Sequence, residues 1–230
     1  MLDLPNRLRR LASLMALTSV LDTVPPTWAE EALGIQPLLR LNLSDLQAQL
    51  LPDIQLLIEP AAIERFLTFM DGLPPDWAEV YGQGHHDPEL DERLFKLNRE
   101  RDTQRQHDHA VHGRIAFLWS GELSAFDPET GGFRIALGPK FILTSWGVVR
   151  FKFEDVPGNL IAVAPADQRE ALKATIEQGR LVEIDVVMAG SLIPDESIVY
   201  DFSHEEEGMG LIMPVIRVDQ LLYLISPQPF

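Results

Sequence analysis

The chain has 230 residues, of which 46% are hydrophobic, and this composition predicts a globular protein with one large core or two small ones. Nineteen Lys and Arg residues stand against 35 Asp and Glu residues, and the net charge of −16 argues against nucleic acids and anionic membranes as partners. The absence of cysteine excludes disulfides, thiolate metal sites and cysteine nucleophiles.

The N-terminal region allows two interpretations. Three arginines precede the apolar stretch 11–21, so residues 1–29 could form a secretory signal and the protein could be exported. Alternatively, residues 8–21 form the first helix of a folded unit in a cytoplasmic protein. No apolar run reaches the roughly 18 residues that span a bilayer, so membrane insertion is not expected.

An internal repeat favours the helical interpretation of this region. Residues 19–30 and 68–79 align with six identical positions of twelve, including a Pro-Pro pair followed by Trp-Ala-Glu. The prolines end one helix, and Thr27 or Asp76 caps the next, with a glutamate three residues later at capping-box spacing. The unit is therefore predicted to be helix, proline turn, helix.

Residues 1–106 are accordingly expected to form an all-helical repeat region. Ser44 and Gln47 have capping-box spacing before an apolar run, and Pro60 suits the first turn of another helix. A further amphipathic helix is predicted from Asp87 to about Gln104, with Leu90 and Leu94 on one face.

The aromatic residues of the second repeat copy have two interpretations. Trp77 can be a core residue that pins the proline turn onto the preceding helix. Alternatively, Trp77 and Tyr81, together with Trp119 across the joint between the two regions, form a binding surface for a protein or peptide partner.

Histidines gather around the same joint and suggest a metal hypothesis. His107, His109 and His112 could bind a divalent metal such as zinc, because neutral imidazoles are common ligands. Their spacing matches no established zinc motif, and only an irregular loop could bring them together, with help from His85, His86 or Asp108. A solvated linker without a cofactor is the competing interpretation.

Residues 107–230 change to a two-residue period, which is typical of half-buried strands. Examples are Ile115, Phe117 and Trp119, then residues 149–153 and 182–188. A single helix, about 165–178, opens with Pro165 and ends before Gly179. We expect a mainly antiparallel small β-barrel or rolled sheet of OB-like character, or else a sandwich, and thus an α+β protein overall.

One acidic segment near the C-terminus also has two interpretations. Asp201, His204 and Glu205–Glu207 could hold a hard cation such as calcium through oxygen ligands. Because no EF-hand spacing is present, a charged, solvated hairpin loop fits the segment at least as well.

The common catalytic and cofactor motifs are absent, including GxSxG, HExxH, GxGxxG and the P-loop. This absence favours a non-enzymatic binding or assembly protein that presents a protein or peptide surface at the joint. The alternative is a metal-dependent, hydrolase-like enzyme that uses His107, His109 and His112.

Overall fold

The computed structural model describes residues 33–105, 109–204 and 208–226. Its strands are β1 Ile35–Arg40, β2 Ile54–Leu56, β3 Arg114–Asp127, β4 Gly132–Gly138, β5 Ile142–Leu143, β6 Val148–Val149, β7 Lys152–Glu154, β8 Ile161–Val163, β9 Val182–Leu192, β10 Ile198–Phe202 and β11 Gly210–Ile225. The α-helices are α1 Pro60–Asp71, α2 Trp77–Tyr81, α3 Leu90–Arg105 and α4 Ala166–Glu177, and short 3-10 helices cover Leu43–Gln49, His109–His112 and Pro194–Glu196. Within these ranges no helix is long and apolar enough to cross a membrane.

Six strands close into a barrel in the order β1, β8, β4, β3, β9, β11 and back to β1. β1 runs parallel to both of its neighbours, and the other neighbouring pairs are antiparallel. Closure gives each of these strands a partner on both sides, so the barrel itself offers no free edge.

The two faces of β3 show how the barrel is filled and covered. Ile115, Phe117 and Trp119 belong to the main core, which also contains large side chains such as Phe133 and Tyr223. The intervening Ala116 and Leu118 face outward and pack in a second cluster beneath Leu46 of the 3-10 helix and Ile54 of β2. Strand alternation therefore places one set of residues inside the barrel and the other under a covering layer.

The prediction of an all-helical N-terminal half is wrong, and so is that of an α+β protein, because the structure is mostly β, with 39% strand and 31% helix. β1 and β2 both lie in that half, and β1 is a barrel strand paired with β8 and β11. The segment around Ser44 forms a short 3-10 helix rather than an α-helix. Pairing with strands far along the chain overrides the local helical signals, and the β-barrel, which is confirmed, draws on both halves of the sequence.

In the second copy of the repeat, α1 and α2 flank the proline turn. Asp76 occupies the N-cap of α2, and its Oδ1 accepts a hydrogen bond from the Glu79 N–H over 3.1 Å. The first copy, residues 19–30, lies outside the described residues, as does the helix expected at 8–21. The expectation of a cytoplasmic location rests on that helix.

Helix α3 covers the outer edge of β10. The Asn98 side chain donates to the Tyr200 carbonyl and accepts from the Tyr200 N–H, each over 2.7 Å, as a neighbouring strand would do. Arg105 donates to the Ile198 carbonyl over 3.2 Å. Side chains of a helix therefore satisfy the exposed backbone groups of this edge strand, which is one way proteins protect a sheet edge.

Candidate functional site

The edge of β5 lies at the opposite side of the same small sheet from β10. The N-terminal part of β11 leaves the barrel and pairs with β10 on one side and β6 on the other, and β5 pairs with β6. In the described part of the chain no strand pairs with the other side of β5. Within the described ranges the β5 side of the sheet is thus open, whereas the β10 side is covered by α3.

The hairpin turn determines which backbone groups face the open side. Thr144 and Gly147 exchange two backbone hydrogen bonds, of 3.0 and 3.4 Å, and form the last bonded pair of the β5–β6 hairpin. Bonded and non-bonded pairs alternate along an antiparallel ladder, so Leu143 and Val148 are a non-bonded pair. The N–H and C=O of Leu143 consequently point away from β6.

Apolar side chains accompany these free backbone groups. Leu143 is 56% exposed and Phe141, two residues earlier, is 38% exposed. Because side chains two positions apart in an extended chain share a face, Phe141 and Leu143 form a short apolar strip along the edge. We call Phe141–Leu143 and their open backbone side the β5 edge.

The hairpin that carries the β5 edge is held firmly from behind. The Ser145 N–H donates to Glu64 Oε1 of α1 over 2.6 Å, and this hydrogen bond holds the pKa of Glu64 below its usual value. Trp146 is buried, and its carbonyl accepts the indole N–H of Trp77 over 2.6 Å. The edge is therefore preorganised, which reduces the ordering cost of binding.

Arg150 lies beside the β5 edge between two aromatic rings. Its guanidinium carbon is 5.8 Å from the centroid of the Phe141 ring and 5.9 Å from that of Trp119. Among the described residues, no carboxylate lies within 4.0 Å of the Arg150 guanidinium. The Trp119 indole nitrogen is buried and has no acceptor within the same part of the chain.

The surrounding sequence is basic in an otherwise acidic protein. No Asp or Glu stands between Glu129 and Glu154, whereas four basic residues do, at positions 134, 140, 150 and 152. Lys140 reaches Asp185 over 3.7 Å, but both side chains are more than a third exposed, so this pair is screened by solvent.

All three aromatic residues predicted to bind a partner form internal contacts, Trp119 in the main core and the other two in a separate group. The Tyr81 hydroxyl donates to the Met209 carbonyl over 2.8 Å and accepts from the Ser203 N–H over 3.0 Å, and burial raises its pKa. Trp77 lies over Gly210, where an added Cβ would come within 2.0 Å of the ring. Trp119 is separate from this pair and lies near the β5 edge.

Of the three histidines predicted to bind a metal, only His112 has its side chain among the described residues. His107 and the side chain of His109 lie outside them, and His112 is exposed. Within the described ranges, no three His, Asp or Glu side chains are grouped so that they could hold a metal ion. The metal site at His107, His109 and His112 therefore stays a prediction, and no observation favours the hydrolase alternative.

A different pair of histidines does come together. The rings of His85 and His204 are stacked with centroids 6.1 Å apart, and Phe202 packs edge-on against both. Both histidines are exposed. Of the acidic segment predicted to hold a cation, Asp201 and His204 are described and Glu205–Glu207 are not.

The residues of the β5 edge were missed by sequence reasoning. The available signals were the apolar run at Phe141–Leu143 and the acid-free stretch around it. Which side of β5 would be open, however, depends on the pairing of β6 with β11 and is not encoded locally.

No protein-family model, curated protein or solved structure matches this chain.

Proposed function

We propose that this protein is a non-enzymatic binding module that adds an extended segment of a partner protein to the β5 edge. One observation carries the proposal: the Leu143 N–H and C=O face an open edge beside exposed Phe141 and Leu143, whereas α3 covers the opposite edge. Strand addition of this kind takes affinity from main-chain hydrogen bonds and specificity from alternate side chains.

The size of the edge sets the expected strength of binding. With two residues in β5, the added strand forms few backbone hydrogen bonds, each of which contributes about 0.5–1.5 kcal/mol net. Phe141 and Leu143 add apolar burial worth about 25 cal/mol per Å². An interface below about 1,200 Å² and a transient complex are therefore expected.

Charge argues for a different protein, rather than a second copy of this chain, as the occupant. Antiparallel pairing of two β5 edges around a twofold axis would bring Lys140 and Arg150 of one copy close to those of the other. Like charges juxtaposed across an interface cost binding energy. We therefore expect that two copies of the purified protein do not pair through this edge. The net charge of −16 still argues that the partner is neither nucleic acid nor membrane.

The test uses a displayed library of random linear peptides as the probe. Peptides selected on the wild-type protein should carry apolar residues at every second position. Replacing Leu143 with proline should weaken the affinity for the tightest-binding peptide about tenfold or more. Proline removes the outward N–H but leaves the β6 pairing intact, because that N–H does not face β6. Isothermal titration calorimetry gives the affinities, and thermal unfolding checks that the variant is folded.

Matched leucine variants control for the loss of exposed apolar surface. Leu181 is 70% exposed and lies outside the edge, so Leu181→Ala should keep the wild-type affinity while Leu143→Ala weakens it. Equal affinities for wild type and folded Leu143→Pro would contradict strand addition. A concentration-dependent dimer that Leu143→Pro abolishes would contradict the proposed occupant, because a second copy of this chain would then fill the edge.

A further inference from the structure

We propose that Arg150 forms a carboxylate-binding site beside Trp119, so that the segment added to the β5 edge is acidic. This inference rests on the proposed strand addition. It specifies the chemistry of the partner, which the open edge alone does not.

The first argument is that Arg150 has no ion pair among the described residues. Its side chain is half-buried between two rings, and no described carboxylate lies within ion-pair distance, although the chain contains 35 Asp and Glu residues. Guanidinium groups at partly buried sites normally form paired, charge-assisted hydrogen bonds. The planar fork of arginine is also well suited to bind both oxygens of a carboxylate.

The second argument is independent and comes from Trp119. Its side chain is only 7% exposed, and its indole N–H, which can only donate, has no acceptor within the described residues. An unsatisfied buried donor costs about 1–3 kcal/mol. The Trp119 ring centroid lies 5.9 Å from the Arg150 guanidinium carbon, so an unmet hydrogen-bond donor and a cation without an ion pair among the described residues occur side by side.

Two aromatic rings flank the Arg150 guanidinium. The Phe141 and Trp119 ring centroids lie 5.8 and 5.9 Å from its carbon, and Phe153 packs edge-on against Trp119 with centroids 4.7 Å apart. Cation–π contacts of this kind do not use up the N–H donors of the guanidinium. Those donors are therefore available to a carboxylate.

The position of the site predicts a register for the partner. Phe141 contacts Arg150 and precedes Leu143 by two residues, so the acidic residue should lie about two positions from the residue opposite Leu143. Selected peptides should carry Asp or Glu at that spacing from an apolar residue. The basic, acid-free stretch around the edge, with Lys140 and Lys152, favours the same charge.

The experiment compares a selected peptide with its Glu→Gln or Asp→Asn analogue on wild type, Arg150→Met and Trp119→Phe. The uncharged analogue should bind wild type about tenfold more weakly, and the difference should disappear in Arg150→Met. In ¹⁵N NMR spectra, the acidic peptide should shift the Trp119 indole N–H resonance, assigned through Trp119→Phe, more than the amide analogue does. Raising the salt concentration should weaken only the acidic peptide.

The outcomes separate this inference from the proposed function. If Leu143→Pro abolishes binding while the acidic peptide and its analogue bind wild type equally, strand addition stands and the carboxylate site is refuted. If Arg150→Met removes the charge preference while folded Leu143→Pro leaves binding unchanged, the carboxylate site stands and strand addition is refuted. If no selected peptide binds, both are refuted.

Discussion

Replacing Arg105 with alanine is expected to lower the free energy of unfolding by about 3–5 kcal/mol, because it leaves a buried carboxylate without its partner. The side chains of Arg105 and Asp71 are each only 2% exposed, and two hydrogen bonds of 2.7 Å join them. The Tyr200 hydroxyl contacts the same carboxylate, and Arg105 also bonds to the Ile198 carbonyl. This network fastens α1 and α3 to the covered edge of β10.

Urea denaturation followed by circular dichroism measures the loss, and a double variant tests its cause. Asp71→Leu combined with Arg105→Met removes both charges and should be more stable than Arg105→Ala alone, since no unpaired buried charge remains. A loss below about 1 kcal/mol for Arg105→Ala would mean that solvent reaches the pair.

Replacing Trp77 with alanine is expected to cost about 3 kcal/mol or more, because its partly buried ring packs against the core and its indole N–H is hydrogen-bonded. The change removes the hydrogen bond to the Trp146 carbonyl and the ring that lies over Gly210. It would loosen the contact between the proline turn and the hairpin that carries the β5 edge. Chemical denaturation gives the value directly.

Gly210→Ala provides the reciprocal control for Trp77. A methyl group at this position would come within 2.0 Å of the ring, so the variant should lose about 1–3 kcal/mol through overpacking. In a Trp77→Ala background the same glycine substitution should cost little, because the space is then available. A loss below about 1 kcal/mol for Trp77→Ala would instead indicate that the ring contributes little packing.

Periodicity located much of the barrel because inward and outward positions alternate along its long strands. Ile115, Phe117 and Trp119 lie on the inner face of β3, and the alternating pattern at 182–188 falls within β9. The helix α4 begins directly after Pro165 and buries Leu172 and Thr175. These features depend on local pattern and turn chemistry, which a sequence displays directly.

The N-terminal half was misread because its strands depend on distant partners. β1 contains Pro37, which suggests a break rather than a strand, yet its neighbours Gln36 and Leu38 pair with β8 and β11. β2 has only three residues, too few for periodicity to reveal. The buried pair of Arg105 and Asp71 likewise joins two helices, α3 and α1, whose packing the sequence does not display.

The candidate site could not have been derived from the sequence either, because it too depends on contacts between distant parts of the chain. An open edge is defined by which strands are left unpaired, and the difference between β5 and β10 arises because Asn98 of α3 reaches Tyr200. Trp119 was identified by its residue type, but its relation to Arg150 and Phe141 required the fold.

The most direct test of the central claim is amide hydrogen exchange, followed by NMR, on the wild-type protein with and without a selected acidic peptide. If an extended segment pairs with the β5 edge, the Leu143 N–H should become protected on binding, because it would donate to the added strand. The Tyr200 N–H, which already donates to Asn98, should change little. Saturating peptide that leaves the Leu143 amide in fast exchange would contradict the proposed strand addition.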